Sequence, residues 1–216
     1  RVPMVLAVRG LWPQVLVDMG SVSAASRQFR ALKAIERFLY RQADAVVVLA
    51  EGSMAAVVTD GARPDGVVFI PNGAEPSDFD VVQDPIALRA RYGMTGLVLV
   101  YAGAHGKANG LDLVLDAAAE LQPTHPNVQF WLVGDGLLKP DLVAAADQRG
   151  LRNVIFLDPV PKAEMPNLLA AADVGLHVLA DVPLFRHGVS PNKLFDYMAA
   201  GRPVLGASVA FAVTQG

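Results

Sequence analysis

Lys193 and Asp196 stand three residues apart just behind Ser190-Pro191, in the stretch VSPNKLFDYMAAGRPVL from Val189 to Leu205. Ser190 as N-cap and Pro191 at the first helical position predict that a helix starts here, and side chains three apart on a helix are neighbours. Leu194, Phe195, Met198 and Ala199 recur at helical spacing, and Gly201 falls where a left-handed residue ends the helix, before a strand that begins at Pro203. A cation, a carboxylate and the uncovered amides of the first turn thus crowd one helix end. Open amides and a cation attract phosphate, and a carboxylate can accept hydrogen bonds from sugar hydroxyls. Read without that ligand, Lys193 and Asp196 are a solvated pair contributing roughly 0.2–0.5 kcal/mol to the helix.

Three further clusters have the same character: Gly103-Ala-His105-Gly106-Lys107-Ala-Asn109-Gly110, Gly134-Asp135-Gly136 and Pro159-Val160-Pro161. Each follows a short apolar run, at 97–101, 128–133 and 154–157, that reads as a buried strand. Helical patterns over 111–121, 138–149 and 162–172 and a strand over 174–178 fill the intervals, and such alternation indicates a parallel, doubly wound α/β sheet. In that architecture the loops at the carboxyl ends of the strands face one crevice. Glycines there let amides approach a phosphate closely, and Lys107 or Lys193 supplies the countercharge, so the clusters predict a nucleotide-diphosphate site. No G-x-G-x-x-G or Walker A sequence is present, which removes the main support for a plain dinucleotide or P-loop site. His105 reads either as a polar turn residue or as a donor contact, Asp135 as a turn former, and Arg186 and His187 as solvated residues or sugar contacts.

The first half repeats the alternation without a sequence-level repeat. Val2 to Val8 reads as a strand, Arg9-Gly10-Leu-Trp12-Pro13 as the loop after it, and residues 21–41 as an amphipathic helix burying Ala31, Ile35, Phe38 and Leu39. Arg27, Arg30, Lys33, Arg37 and Arg41 form a basic face of that helix, solvated or set against an anionic membrane if the acceptor is lipid-linked. A strand over 45–49, a short helix over 54–59 capped by 51–53, a strand over 67–70 and a turn at Pro71-Asn72-Gly73 follow. The proline-rich stretch after Gly73 has little apolar periodicity, so the expected division is a partial first domain over residues 1–80, a linker over 81–95 and a second domain over 96–216.

Composition narrows the function classes. A chain of 216 residues that is 53% hydrophobic and only 18% charged has ample material for buried cores, and a net charge of -3 without any basic run excludes a nucleic-acid binder held by phosphate contacts. With no cysteine there are no disulfides or thiolate-ligated metals, which fits a reducing cytoplasm. No window approaches the roughly 20 apolar residues of a membrane span. A start at Arg1-Val-Pro, without Met, suggests an internal piece of a longer protein.

SPNKLFDYMAAGRPVL, YAGAHGKANGLD, LVGDG, NVIFLDPVPKAEMPNLLAAADVGL, ERFLYRQADAVVVLAEG and IPNGAEPSDF, in their order and spacing, make the chain resemble a retaining glycosyltransferase of GT-B fold, the group 1 or family 4 type, in the bacterial cell-surface polysaccharide subgroup. The resemblance covers nearly the whole chain. It implies two Rossmann-like domains, the first incomplete here, with a nucleotide-sugar held in the cleft between them. The implied donor contacts are Gly103, His105, Gly106, Asn109, Gly134, Gly136, Val160, Ser190, Pro191, Asn192 and Asp196. Of these, Asp196 would hold the ribose and the backbone near Val160 the base, while Lys193 and Lys107 would act on the leaving diphosphate.

Departures from the family pattern carry information too. A Glu-x7-Glu pair counted back from Asp196 puts Gly188 where the first glutamate stands, and Asn109 occupies the place of a family lysine, so Lys107 or Lys193 takes over its charge. The family's V-R-D-L-W-P appears as VRGLWP, with Arg9 and Gly10 on the acceptor side and no carboxylate at Gly10. The chemistry implied is a front-face transfer from a nucleotide-sugar to a lipid-linked or saccharide acceptor, catalysed electrostatically, with no cofactor and no metal. The expected setting is the cytoplasm, with peripheral contact at the inner face of the cell membrane and no nucleic-acid partner. The alternative is a non-catalytic or inactive truncated nucleotide-sugar-binding module.

Overall fold

Short β-branched runs become parallel strands in both halves of the chain, which the computed structural model describes over residues 2–80, 83–183, 185 and 188–207. These residues form two units, one holding the chain up to Asn72 together with those described between Asp181 and Ser190, the other holding those from Gly73 to Ala180 and from Pro191 to Ala207.

In the first unit β1 (Val5–Val8), β2 (Ala45–Val48) and β3 (Val67–Phe69) pair in parallel in the order β1-β2-β3. Helices α1 (Gln14–Asp18), α2 (Arg27–Gln42) and α3 (Met54–Thr59) connect them. The long helix begins six residues later than its periodicity suggests, because Ser26 is the residue in extended conformation whose Oγ accepts from the Phe29 amide at 3.1 Å.

Its orientation overturns the expected burial. Ala31, Ile35, Phe38 and Leu39 are exposed, Phe38 at 60%, while Glu36 and Tyr40 are the buried residues of α2. A polar network turns that side inward: the Tyr40 hydroxyl donates to Glu36 Oε1 at 2.9 Å, and Lys33 Nζ reaches both Glu36 Oε2 at 2.6 Å and Asp60 Oδ2 at 2.5 Å. Burial alone would lower the Lys33 pKa, but its bonds to Asp60 and Glu36 raise it, so the ammonium is held charged. Arg37 also joins Asp60, and the basic face expected for this helix therefore loses two of its members to an internal ion cluster.

The second unit contains α4 (Pro85–Tyr92), β4 (Leu97–Ala102), α5 (Asp112–Leu121), β5 (Val128–Val133), α6 (Lys139–Gln148), β6 (Val154–Leu157), α7 (Met165–Ala171), β7 (Val174–Val178), α8 (Asn192–Ala199) and β8 (Val204–Ala207). All five strands are parallel, in the order β6-β5-β4-β7-β8. Both faces are covered, as the continuous apolar runs require. Leu99 and Tyr101 pack with α5 and α6 on one side, and Val98 and Val100 pack with α4, α7 and Tyr197 on the other.

The chain leaves β4 in one direction and returns past it to β7, so the order reverses between these two strands, where α/β sheets open a ligand crevice. At that point β4 and β7 pair only through Leu99 with Val174 and Val100 with Gly175. The hydroxyl of Tyr197 fills the gap beyond, accepting from the Ala102 amide at 3.1 Å and donating to the Leu176 carbonyl at 3.2 Å. Gly175 makes this fit: a Cβ there would lie 2.5 Å from the Tyr197 ring.

Two boundaries differ from expectation. Residues 81–95 carry α4, whose Leu88 is buried and whose Arg89 donates to the Ala171 carbonyl and to Asp173 Oδ2, both at 2.9 Å, so the helix belongs to the second unit. The described residues between Asp181 and Ser190, assigned from sequence to the second domain, fall in the first unit.

Candidate functional site

The carboxyl ends of β4, β5 and β6 bring their three loops to one edge of the second sheet, and the loops are tied together by main-chain bonds. The Gly103 amide donates to the Val133 carbonyl at 2.9 Å, the His105 amide to the Asp135 carbonyl at 2.8 Å, and the Gly134 amide to the Leu157 carbonyl at 3.1 Å. Gly134 sits so close to the loop after β4 that a Cβ would stand 2.0 Å from the Gly103 carbonyl oxygen. Any side chain there would have to displace the loop. Lys139 secures the other end of the group, donating to the Gly134 carbonyl, the Leu157 carbonyl and Asp158 Oδ1 at 2.9, 3.0 and 2.8 Å.

Lys193, in the first turn of α8, reaches this edge. Its Nζ donates to the Tyr101 hydroxyl at 2.9 Å and lies 4.0 Å from the centre of the Tyr101 ring. Tyr101 in turn donates to the Ala104 carbonyl at 2.8 Å. Burial lowers the Lys193 pKa to about 8, so the ammonium sits in a desolvated seat where an arriving anion would relieve it. Asp196 does not pair with Lys193 among the described residues. Burial raises its pKa, Asp78 pushes in the same direction and Lys162 opposes them.

Several expected site residues find different places. Ser190 is not the cap of α8: Pro191 holds that position with no side-chain cap bond, and the Ser190 Oγ instead accepts from the Asn72 amide at 2.9 Å, with the Asn72 side chain bonded to the Ser190 carbonyl. The physical reason is competition, since both residues lie in the first unit and the hydroxyl is already committed there. Pro191, placed from sequence at the first helical position, stands one residue earlier. Asn192 and Lys193 then open the helix, ahead of the first amide that finds a carbonyl in the turn, Leu194 to Pro191 at 3.2 Å.

The His105 ring is fully buried between Tyr101 and Phe156, both ring nitrogens lacking a hydrogen-bond partner among the described residues, and only its main chain contributes to the loop. Burial lowers its pKa, with Lys139 and Lys193 adding to the effect and Asp135 opposing it, so the cationic form that would attract a phosphate is disfavoured. Gly106 precedes the short turn Lys107–Asn109, of which Asn109 is the last residue and on which Lys107 is exposed. Gly136 lies in the turn shaped by Asp135, whose Oδ1 accepts from the Gly136 amide at 2.8 Å. Val160 packs partly buried against the α4–α7 side of the sheet. Arg186 and His187 lie outside the described residues.

Sequence reasoning missed Tyr101, Lys139 and Tyr197. An aromatic residue with a polar tip, two positions before a loop glycine or inside an otherwise aliphatic helix face, is the signal that was available.

In the first unit Arg9 and Gly10 follow β1 and border an apolar cavity of about 470 Å³, with Trp12, Ile35, Leu39 and Tyr40 also in its wall. No group of three or more histidine or carboxylate side chains converges among the described residues in a way that could hold a metal ion, and no described helix is long and apolar enough to cross a membrane.

Comparison with known proteins places this architecture. "Probable glycosyltransferase WbjE" of Pseudomonas aeruginosa is 29% identical over 203 residues, covering 93% of this chain and 50% of that protein. A crystal structure of WaaG, a glycosyltransferase involved in lipopolysaccharide biosynthesis, superposes with a TM-score of 0.76 at 21% identity, over 95% of this chain and 56% of that one. Anabaena Alr3699/HepE in complex with UDP and glucose superposes with a TM-score of 0.71 at 23% identity, over 95% and 53%. The chain thus spans about half the length of the relatives it matches, and its sheets are those of the GT-B fold. Residues 1–73 match the Glycosyl transferase 4-like domain and residues 96–215 the family Glycosyl transferases group 1, and to this family the chain belongs.

Proposed function

We propose that the second unit binds the nucleoside diphosphate of a nucleotide-sugar donor, and that the whole protein transfers the sugar, with retention, to a lipid-linked or saccharide acceptor in cell-surface polysaccharide synthesis. The observation that carries this reading is the seat of Lys193: a desolvated ammonium at the start of a helix, at the edge where the β4 and β5 loops meet. Relatives named for colanic acid and teichuronic acid biosynthesis, and neighbours crystallised with UDP, support the donor and product classes.

In this mechanism the developing charge is on the diphosphate leaving group. Lys193 and the first-turn amides of α8 stabilise it electrostatically, which supplies countercharge without a metal or other cofactor. Asp196, one turn further along, accepts from the ribose hydroxyls. With glycine at 188, no carboxylate stands eight residues before Asp196 to contact the transferred sugar. The acceptor side falls to the first unit, where Arg9 and Gly10 border the apolar cavity. The exposed Ile35 and Phe38 of α2, with Arg30 and Arg41 on the same helix, support a peripheral site at the inner membrane face.

Calorimetric titration of UDP, GDP and UDP-sugars tests the reading. One nucleoside diphosphate binds and Lys193→Ala weakens it at least tenfold, as loss of a charge-assisted phosphate contact should. Absence of binding by every nucleoside diphosphate, or equal affinity in Lys193→Ala, refutes it.

A further inference from the structure

Tyr101 is the last large side chain of β4, fully buried, and its hydroxyl is used twice. It donates to the Ala104 carbonyl at 2.8 Å and accepts from Lys193 Nζ at 2.9 Å, while the ring face takes the same ammonium at 4.0 Å. The fit around this pair is tight. A Cβ on Gly103 would stand 3.1 Å from Lys193 Nζ, 3.2 Å from its Cε and 3.3 Å from the Tyr101 hydroxyl. Gly103 is itself backed by Gly134, so the lysine, the tyrosine and the loops after β4 and β5 interlock.

A lysine has four rotatable side-chain bonds, and an unrestrained one samples many positions at a helix end. Held by a hydroxyl and a ring face, this one presents its charge at a single place. We propose that Tyr101 is a positioning residue of the donor site: through its bonds to Ala104 and Lys193 it fixes the lysine charge relative to the 103–106 loop before the diphosphate arrives. The proposal rests on the reading that this edge takes the nucleoside diphosphate. Tyr101 does not contact the reacting atoms. It acts through Lys193, whose ordering it supplies in advance, and preorganisation of that kind strengthens binding by removing an entropic penalty.

The ammonium is also stabilised in its charged form by the hydroxyl oxygen that accepts from it. Burial acts in the opposite direction and leaves the Lys193 pKa at about 8. The other titratable or charged groups that bear on this neighbourhood are His177 on β7 and His105 in the β4 loop, both with pKa lowered first by burial, Tyr197 of α8, which acts on Tyr101, and Lys139 and Asp135, which act on His105 in opposite directions. Removing the hydroxyl should therefore lower the Lys193 midpoint further, a change that a purely structural tyrosine would not produce.

The test uses Tyr101→Phe, which keeps the ring, together with Lys193→Ala and the double variant. Carbon-13 methylated lysine titrated by NMR reads the Lys193 midpoint directly, without any ligand. It should fall by about one pH unit in Tyr101→Phe. UDP titrated by calorimetry should bind Tyr101→Phe about five- to tenfold more weakly than the parent, with the loss growing above pH 7. In the Lys193→Ala background the same tyrosine change should alter affinity by less than about twofold, because the partner it positions is gone. An unchanged Lys193 midpoint in Tyr101→Phe, or equal losses with and without Lys193, overturns the proposal while leaving the donor-site reading intact. Failure of the parent protein to bind UDP or any other nucleoside diphosphate overturns the donor-site reading and Tyr101's role with it.

Discussion

The hydroxyl of Tyr197 occupies the one place where the central sheet of the second unit stops pairing with itself, and its removal gives a quantitative test of how the crevice is held open. In Tyr197→Phe the ring and its apolar burial remain, but the Ala102 amide and the Leu176 carbonyl lose their partner in a fully buried position. Each such orphaned main-chain group costs roughly 1–3 kcal/mol. Against this, the desolvation of the hydroxyl itself, about 1–3 kcal/mol, is no longer incurred. The balance is a destabilisation of about 2 kcal/mol, which for a unit of this size lowers Tm by about 4–8 °C. Urea denaturation followed by circular dichroism measures the free energy, and hydrogen exchange at the Ala102 amide locates it. That amide should exchange faster than its neighbours on β4. A loss under about 0.5 kcal/mol, with Ala102 still protected, would show that the gap between β4 and β7 is closed by something other than this hydroxyl. Gly175→Ala is the complementary perturbation: its Cβ would stand 2.5 Å from the Tyr197 ring, so the ring must shift and the same amide should lose protection.

Other outcomes follow from the same contacts. Gly134→Ala drives a methyl group into the Gly103 carbonyl and should both destabilise the unit by about 3 kcal/mol and abolish UDP binding, measured by denaturation and calorimetry on one sample. His177 is fully buried with its pKa lowered to about 4, so the unfolded chain takes up a proton between pH 6.5 and pH 4 that the folded chain refuses. Stability should fall as pH drops through that window, by up to about 3 kcal/mol. His105, whose pKa burial also lowers, adds in the same direction. A His177→Asn variant should show a shallower acid limb in a pH series of urea melts. Asp60→Asn, which removes the carboxylate charge that Lys33 and Arg37 share and one of its two acceptor oxygens, should cost the first unit about 1–3 kcal/mol, read as a lower denaturation midpoint.

The α/β architecture was legible because buried parallel strands write themselves as unbroken apolar runs, and β5, β6 and β7 fall where those runs predict. What misled was polarity acting at a distance. The apolar stripe of α2 reads as its buried side, yet Asp60, 24 residues after Glu36 in sequence, joins Lys33 and Glu36 and turns the other face inward. Ser190 satisfies every local rule for a cap, and its hydroxyl is claimed by Asn72 from 118 residues away. The α4 helix was hidden for a related reason: only Leu88 is buried along it, and it is secured by Arg89 bonds to α7 and Asp173 that no periodicity reveals. Glycine-rich loops could be placed at the carboxyl ends of strands from sequence, but which lysine serves them could not.

That last choice is decided by burial rather than by sequence distance. Lys107 lies within the glycine-rich loop itself and Lys193 lies 86 residues later, so proximity along the chain favours Lys107. Lys107 is exposed, however, and an ion pair at an exposed site gains little, because solvent screens it. Lys193 is held in a desolvated seat, which makes its charge costly in the free protein and valuable to an anion. If this is correct, Lys193→Met should do two opposite things. It should raise stability at pH 7, on the order of 2 kcal/mol, since a lysine depressed from 10.5 to about 8 destabilises the fold wherever it is protonated. The advantage should fade as pH rises through 8 toward 10.5, where the folded protein sheds that proton before the unfolded chain does. The same variant should lose at least tenfold in UDP affinity, whereas Lys107→Met should change affinity less than threefold. A Lys193→Met protein that is both less stable and fully competent for UDP would place the diphosphate elsewhere and return Lys107 to consideration.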